Sequence, residues 1–171
     1  MTLMMAAVMA LTAMSQTNSI FIEDFEICPD SVALVPVLLA NDDATRGLQF
    51  NMTLPPGLDV ARCKLTDRSL DLDMTVLFDR DRQSRSCTVI IYSHKASSFD
   101  PGRDAVATLT IKASSDFRGG DIKLWKLRGS TLQNQSIIME DTHCVVSVPQ
   151  SALVGVPIDM QQEAEQHFAP F

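Results

Sequence analysis

Between positions 46 and 60 the chain reads RGLQFNMTLPPGLDV, and this stretch limits the fold more than any other. Leu48, Phe50, Met52 and Leu54 fall at every second position, with Gln49, Asn51 and Thr53 between them. A period of two sends alternate side chains to opposite faces of a pleated strand, so one face is buried and the other is wet. On a helix the same four apolar residues would scatter around the circumference. Pro55-Pro56-Gly57 stops the strand, since neither proline donates to a ladder, and Leu58-Asp59-Val60 resumes after it. A binding site carried by this strand must use the wet parity at Gln49, Asn51 and Thr53, because the other parity is committed to packing.

The rest of the chain repeats the rhythm. Short runs rich in β-branched and apolar residues are broken by Pro, Gly, Asn and Asp every 8 to 14 residues or so, which is the spacing of a sandwich or barrel. Strands are predicted over 19–25 (SIFIEDF), 32–39 (VALVPVLL), 48–54, 72–78, 87–92 (CTVIIY), 105–112, 122–127 and 144–148. Pro36 demands an edge position or a bulge, because it has no N–H to give to a ladder. Asn41-Asp42-Asp43 and the charged run Asp79 to Arg82 read as turns, and Gly119-Gly120 as a hairpin turn. The expected architecture is all-β, two antiparallel sheets of eight or nine strands packed face to face. No internal repeat or composition shift marks a second domain, and 171 residues suit one core.

The ends are read separately. From Leu3 to Met14 runs an apolar segment without charge, too short to span a bilayer as a mature helix but of the length of a secretory h-region. Ala13-Met14-Ser15 supplies a small-x-small cleavage site, although no basic residue precedes Arg46; a buried N-terminal helix is the competing reading. The division is therefore an export signal over 1–15, a sandwich over 16–152 and a C-terminal tail over 153–171. Export implies a secreted, extracellular or periplasmic protein with no transmembrane segment in the mature chain. Four cysteines are even in number and lack the close spacing of a zinc site. In an oxidising compartment the strand order favours Cys28 with Cys144 and Cys63 with Cys87; buried free thiols are the alternative.

Several short pieces together resemble a known family. An apolar strand ending in Val35-Pro36-Val37, the Asn41-Asp42 turn, the stretch from Gly47 to Leu58, the Tyr92-Ser93 pair, Gly102, and the strand from Ala105 to Ala113 look like the cohesin-like β-sandwich domains of secreted proteins from anaerobic gut bacteria. The likeness covers roughly Ser19 to Val148. It implies a jelly-roll sandwich similar to certain carbohydrate-binding modules, and hence docking of a partner protein, dockerin-like, or attachment to polysaccharide. It implies no chemistry.

Nothing in the sequence itself argues for chemistry. With 14 basic against 21 acidic residues, the net charge of −7 and the scatter of the basic ones disfavour nucleic acid as partner. His94, His143 and His167 stand in no nucleophile motif, and His143 and Cys144, being adjacent on a strand, face opposite ways. Asp71 and Asp73 fall on the wet parity of the 72–78 strand, where charge is ordinary. Asn41-Asp42-Asp43 offers hard oxygen atoms, yet without the spaced ligands and glycine of an EF-hand loop, and turns are the preferred reading there and at Asp79 and Asp81. The expectation is a binding module with no enzymatic activity, cofactor or metal. A structural or adhesive subunit of an extracellular assembly, joined through edge strands, is the alternative.

Overall fold

The computed structural model describes residues 18–150, so the expected export segment and tail lie outside the described residues. In chain order the elements are β1 (Ser19–Phe21), β2 (Phe25–Glu26), β3 (Val32–Asn41), β4 (Thr45–Thr53), β5 (Leu58–Leu65), α1 (Asp67–Leu70), β6 (Met74–Asp81), β7 (Ser86–Ser93), β8 (Gly102–Ala113), β9 (Gly120–Thr131), β10 (Ser136–Ile138) and β11 (Thr142–Ser147). They form two sheets. The smaller has the order β1-β3-β8-β5, and the larger β2-β11-β9-β4-β7-β6, with β10 added to β9. All pairings are antiparallel except that of β2 with β11.

The all-β sandwich read from the sequence is the observed fold, with eleven strands among the described residues where eight or nine are expected. One extra strand comes from the N-terminal segment, which divides between the sheets. Ile20 and Ile22 point inward on even positions; after the exposed Glu23-Asp24 step the inward residues are Phe25 and Ile27, on odd ones. That change of parity is where the chain leaves β3 and joins β11. Another is the short β10, which falls in the loose stretch before Cys144.

Packing follows the alternation. Leu48, Phe50 and Met52 of β4 face Val89 and Ile91 of β7 and the inward residues of β3, β5 and β8, all of them buried. Two of the largest buried side chains, Phe99 and Phe117, come from outside the strands. Phe99 is fixed there by two backbone bonds with Thr45, at 2.8 and 3.0 Å. Phe117 sits against the Pro55-Pro56-Gly57 turn, where Gly57 has φ of +86° and an added Cβ would lie 2.9 Å from the Ser114 hydroxyl. Only glycine suits both the backbone angle and the space.

Pro36 meets both conditions set for it. Strand β1 covers β3 only from Leu38 to Ala40, so Pro36 stands where that border is open, and the ladder with β8 slips between Val37 and Leu38 just after it. The segment read as the start of a strand at Leu72 is different. Residues 67–70 make a helical turn, Asp71 caps its C-terminus, and Asp73 takes φ of +52° before β6 begins at Met74. Buried Ser69 explains the helix, since its hydroxyl donates to the Val106 carbonyl at 2.6 Å and ties the turn to β8.

Candidate binding face

The outer face of the larger sheet is a grid whose rows are set by register. Across β6, β7, β4 and β9 the rows read Thr75–Tyr92–Gly47–Ser130, Leu77–Ile90–Gln49–Arg128, Asp79–Thr88–Asn51–Trp125 and Asp81–Ser86–Thr53–Lys123. Gln49, Asn51 and Thr53 do occupy the wet parity, while Phe50 and Met52 between them are fully buried. The chain's only tryptophan and only tyrosine both lie on this face. Where Gly47 has no side chain, the surface dips into a hollow of about 310 Å³ bordered by Gln49, Ile90, Tyr92, Arg128 and Ser130. His94 stacks edge to face on Tyr92, ring centroids 4.8 Å apart.

Trp125 is held by its surroundings. Its indole Nε1 donates to the Thr53 hydroxyl at 3.1 Å, and the Lys126 ammonium lies 4.8 Å from the ring centroid. The lysine reaches that position through a bulge: the ladder of β4 with β9 slips between Gln49 and Asn51, and Lys126 has φ of +53°. A left-handed angle in a lysine costs on the order of 1–2 kcal/mol. The bulge also lies where the outer border of β9 changes hands, from β11 along 120–124 to β10 along 128–130. The Lys126 N–H falls in the gap and donates to the Asp141 carboxylate at 3.1 Å. Beside Trp125, the buried Asn51 Oδ1 has no hydrogen-bond partner. A second cleft, of about 430 Å³, opens between Trp125, Thr53, Lys123 and His143.

The sequence carried a signal for the bulge that the reading of an even 122–127 strand passed over. Inward Ile122 and Leu124 are two apart, whereas the next inward residue, Leu127, is three further on. A step of three in a period of two requires one extra residue, and Trp125 and Lys126 both turn outward there.

The other residues singled out from sequence are placed as follows. His143 is exposed and Cys144 buried on β11, on opposite faces as expected. Asp81 caps the β6–β7 turn, accepting from the Gln83 N–H at 2.9 Å and the Ser84 hydroxyl at 2.8 Å; these bonds hold its carboxyl below the usual range. Arg80 leaves its neighbours Asp79 and Asp81 and crosses to the smaller sheet, bonding Asp59 and the Val60 carbonyl, both at 2.9 Å. Asn41 is buried, and its amide donates to the carbonyls of Asp43, Phe99 and Asp100 at 2.9 to 3.3 Å, so it binds loops together.

All four cysteines are free thiols, Cys28 exposed and the others buried. Cys28 is exposed and Cys144 buried on β11, and the two are not joined. Phe25 stands beside Val146, so Cys144 and Cys28 do not stand level in the register of β2 with β11. Cys63 and Cys87 belong to opposite sheets and are both buried without being joined. Burial pushes the Cys63 thiol up to about 12, with the neighbouring Cys87 adding to the effect, and burial raises Cys87 and Cys144 to about 11. These are packing groups, since thiols that stay protonated are poor nucleophiles.

Known structures can now be set beside this arrangement. No family model matches the sequence, and neither does any curated protein. Solved structures do match in fold. A type I cohesin–dockerin complex from Clostridium thermocellum aligns over 78% of this chain and 99% of the matched one, with a TM-score of 0.64 and 14% identity. The fold is that of a cohesin-like β-sandwich. The sixth cohesin of scaffoldin B from Acetivibrio cellulolyticus, solved with a Cel5 dockerin, aligns over 78% and 99% with a TM-score of 0.63 and 12% identity. A non-cellulosomal cohesin from the archaeon Archaeoglobus fulgidus aligns over 80% and 95% with a TM-score of 0.59 and 16% identity. The cohesin-like core thus takes in nearly the whole length of these domains, and the likeness expected from the motifs between Gly47 and Leu58 is one of fold.

Proposed function

We propose that this chain is a non-catalytic protein-binding module, secreted or displayed at the cell surface, that takes a dockerin-like partner on the outer face of its larger sheet. One observation carries the reading: Trp125 and Tyr92, each the only residue of its kind, are half-buried on that one face with Ile90, and Arg128 is exposed beside them. Aromatic residues and arginine are the types that dominate binding energy when a partner covers them. Cohesin–dockerin complexes among the structures of similar fold support a protein as the partner, and the apolar segment at 3–14 supports export.

The test is calorimetric titration of the chain with a panel of dockerin modules and, in parallel, of soluble polysaccharides. Binding of a dockerin that weakens more than tenfold in Trp125→Ala and Arg128→Ala, and is unchanged in Leu34→Ser on the smaller sheet, is the expected result. Saturable binding of a polysaccharide with none of a dockerin would replace the protein partner by a glycan. Loss of binding in Leu34→Ser alone would move the site to the opposite face.

A further inference from the structure

The charge on the outer face of the larger sheet is complementary to itself. Its β6 flank presents Asp79 and Asp81; its β9 flank presents Lys126, beside Trp125, and Lys123 at the same two levels. One level further on, β9 carries Asp121, and the β6–β7 turn opposite carries Arg82 and Arg85, which line a cleft shared with Leu58 and Asp59 of the smaller sheet. Between the flanks run two strands, β7 and β4, whose outward residues at these levels are neutral: Ile90, Thr88 and Ser86 on one, Gln49, Asn51 and Thr53 on the other. Lys123, Lys126 and Arg128 are exposed, and the ion pairs found among the described residues, Arg80–Asp59, Lys95–Asp73 and Arg103–Glu23, use none of them.

A two-fold axis lying in the interface, parallel to the strands and between β4 and β7, exchanges β6 with β9 and β7 with β4 while keeping each level. It sets Asp79 against Lys126 of a second copy and Asp81 against Lys123, each contact occurring twice. That is the requirement for an isologous interface, in which one patch meets itself. We infer that this face pairs with a second copy of the chain, in competition with the partner proposed above. The inference rests on that proposal for the face being a binding surface, and not for the identity of the partner. Four strands about 4.8 Å apart and eight residues long cover on the order of 500 Å² per copy, below the roughly 800 Å² of a tight complex. The dimer is therefore weak, and charge pairs on its flanks make it salt-sensitive.

The experiment is sedimentation equilibrium of the protein at high and low salt, with circular dichroism melts to show that each variant folds. The wild type is expected to dimerise with a Kd in the micromolar range and to weaken severalfold between about 50 mM and 500 mM salt. Asp79→Lys and Lys126→Glu each juxtapose like charges twice and are expected to weaken the dimer at least tenfold. Mixed in equal amounts, the two variants bring opposite charges together again at both places and should associate as tightly as wild type. A wild type that stays monomeric at several hundred micromolar, or a mixture no tighter than its components, overturns the inference. Either outcome leaves the dockerin titration to be judged on its own, because that measurement uses dilute chain. Association through edge strands would persist in both single variants and is thereby excluded or established.

Discussion

The two outer faces of the sandwich are built on the same pleat and differ in what they cost to maintain. The smaller sheet presents Val32, Leu34 and Pro36 in a row, with Thr108, Thr110 and Lys112 beside them on β8 and Arg62 and Lys64 beyond on β5. It too exposes apolar surface, Leu34 alone being 72% accessible, yet none of these residues shows a left-handed angle or a polar atom buried without a partner. The larger sheet carries both: Lys126 in a left-handed conformation and the Asn51 carbonyl unmet, side by side around Trp125. Local strain of this kind persists where the surrounding structure over-determines it, and such places cluster at functional sites. Exposed apolar area by itself is a poorer guide than the position of these costs.

The largest expected effect sharpens the contrast between inside and outside. Phe50→Ala, beneath the larger face, should lose about 3–5 kcal/mol of stability through burial and cavity terms, whereas Leu34→Ser on the smaller face should stay within about 0.5 kcal/mol; urea melts of the two variants measure this. Alkaline pH comes next. Folded Cys63, Cys87 and Cys144 ionise only near 11 to 12, above the ordinary 9.0 of the unfolded thiol. Their contribution is complete below pH 9.0 and is lost as pH rises toward the folded values, because only the unfolded chain releases those protons. Each thiol should contribute on the order of 1 kcal/mol of lost stability per pH unit in that window. Cys63→Ala should flatten the slope measured by urea melts between pH 9 and pH 11 or so. The smallest effect breaks the comparison itself: Lys126→Gly relieves the left-handed angle and should raise stability by about 0.5–1 kcal/mol while weakening whatever the Trp125 face binds. A variant that is less stable would show the bulge to be unstrained.

The fold was legible in the sequence wherever one face of a strand is wet, since alternation then shows in the residues themselves, as along β4 and β8. It was least legible where tertiary contacts decide. The helical turn at Asp67–Leu70 exists because the Ser69 hydroxyl meets a carbonyl of β8, and Phe99 enters the core through bonds to Thr45. Neither is a matter of local pattern. The binding face was half legible: parity gave the outward residues of β4, but the neighbours that make a surface of them, Ile90, Trp125 and Arg128, come from strands far off in sequence. Register assembles them, and a single chain does not display register. The cysteine pairing was no more legible, because strand order alone does not say which residues stand level.

The N-terminal segment that crosses between the sheets has a consequence in time. β1 pairs with nearby β3, but the segment also reaches residues made much later: Phe25 lies beside Val146, the Asp24 carboxylate accepts from the Val145 N–H at 2.7 Å, and the Thr142 hydroxyl donates to the Ile20 carbonyl at 2.9 Å, contacts some 120 positions apart along the chain. During synthesis, which proceeds from the N-terminus, β1 can pair once β3 has emerged, whereas β2 must wait unmatched until β11 leaves the ribosome. A chain halted before position 142 therefore holds the β6–β7 and β9–β10 hairpins and still has an open seam where β11 would join β2 to β9.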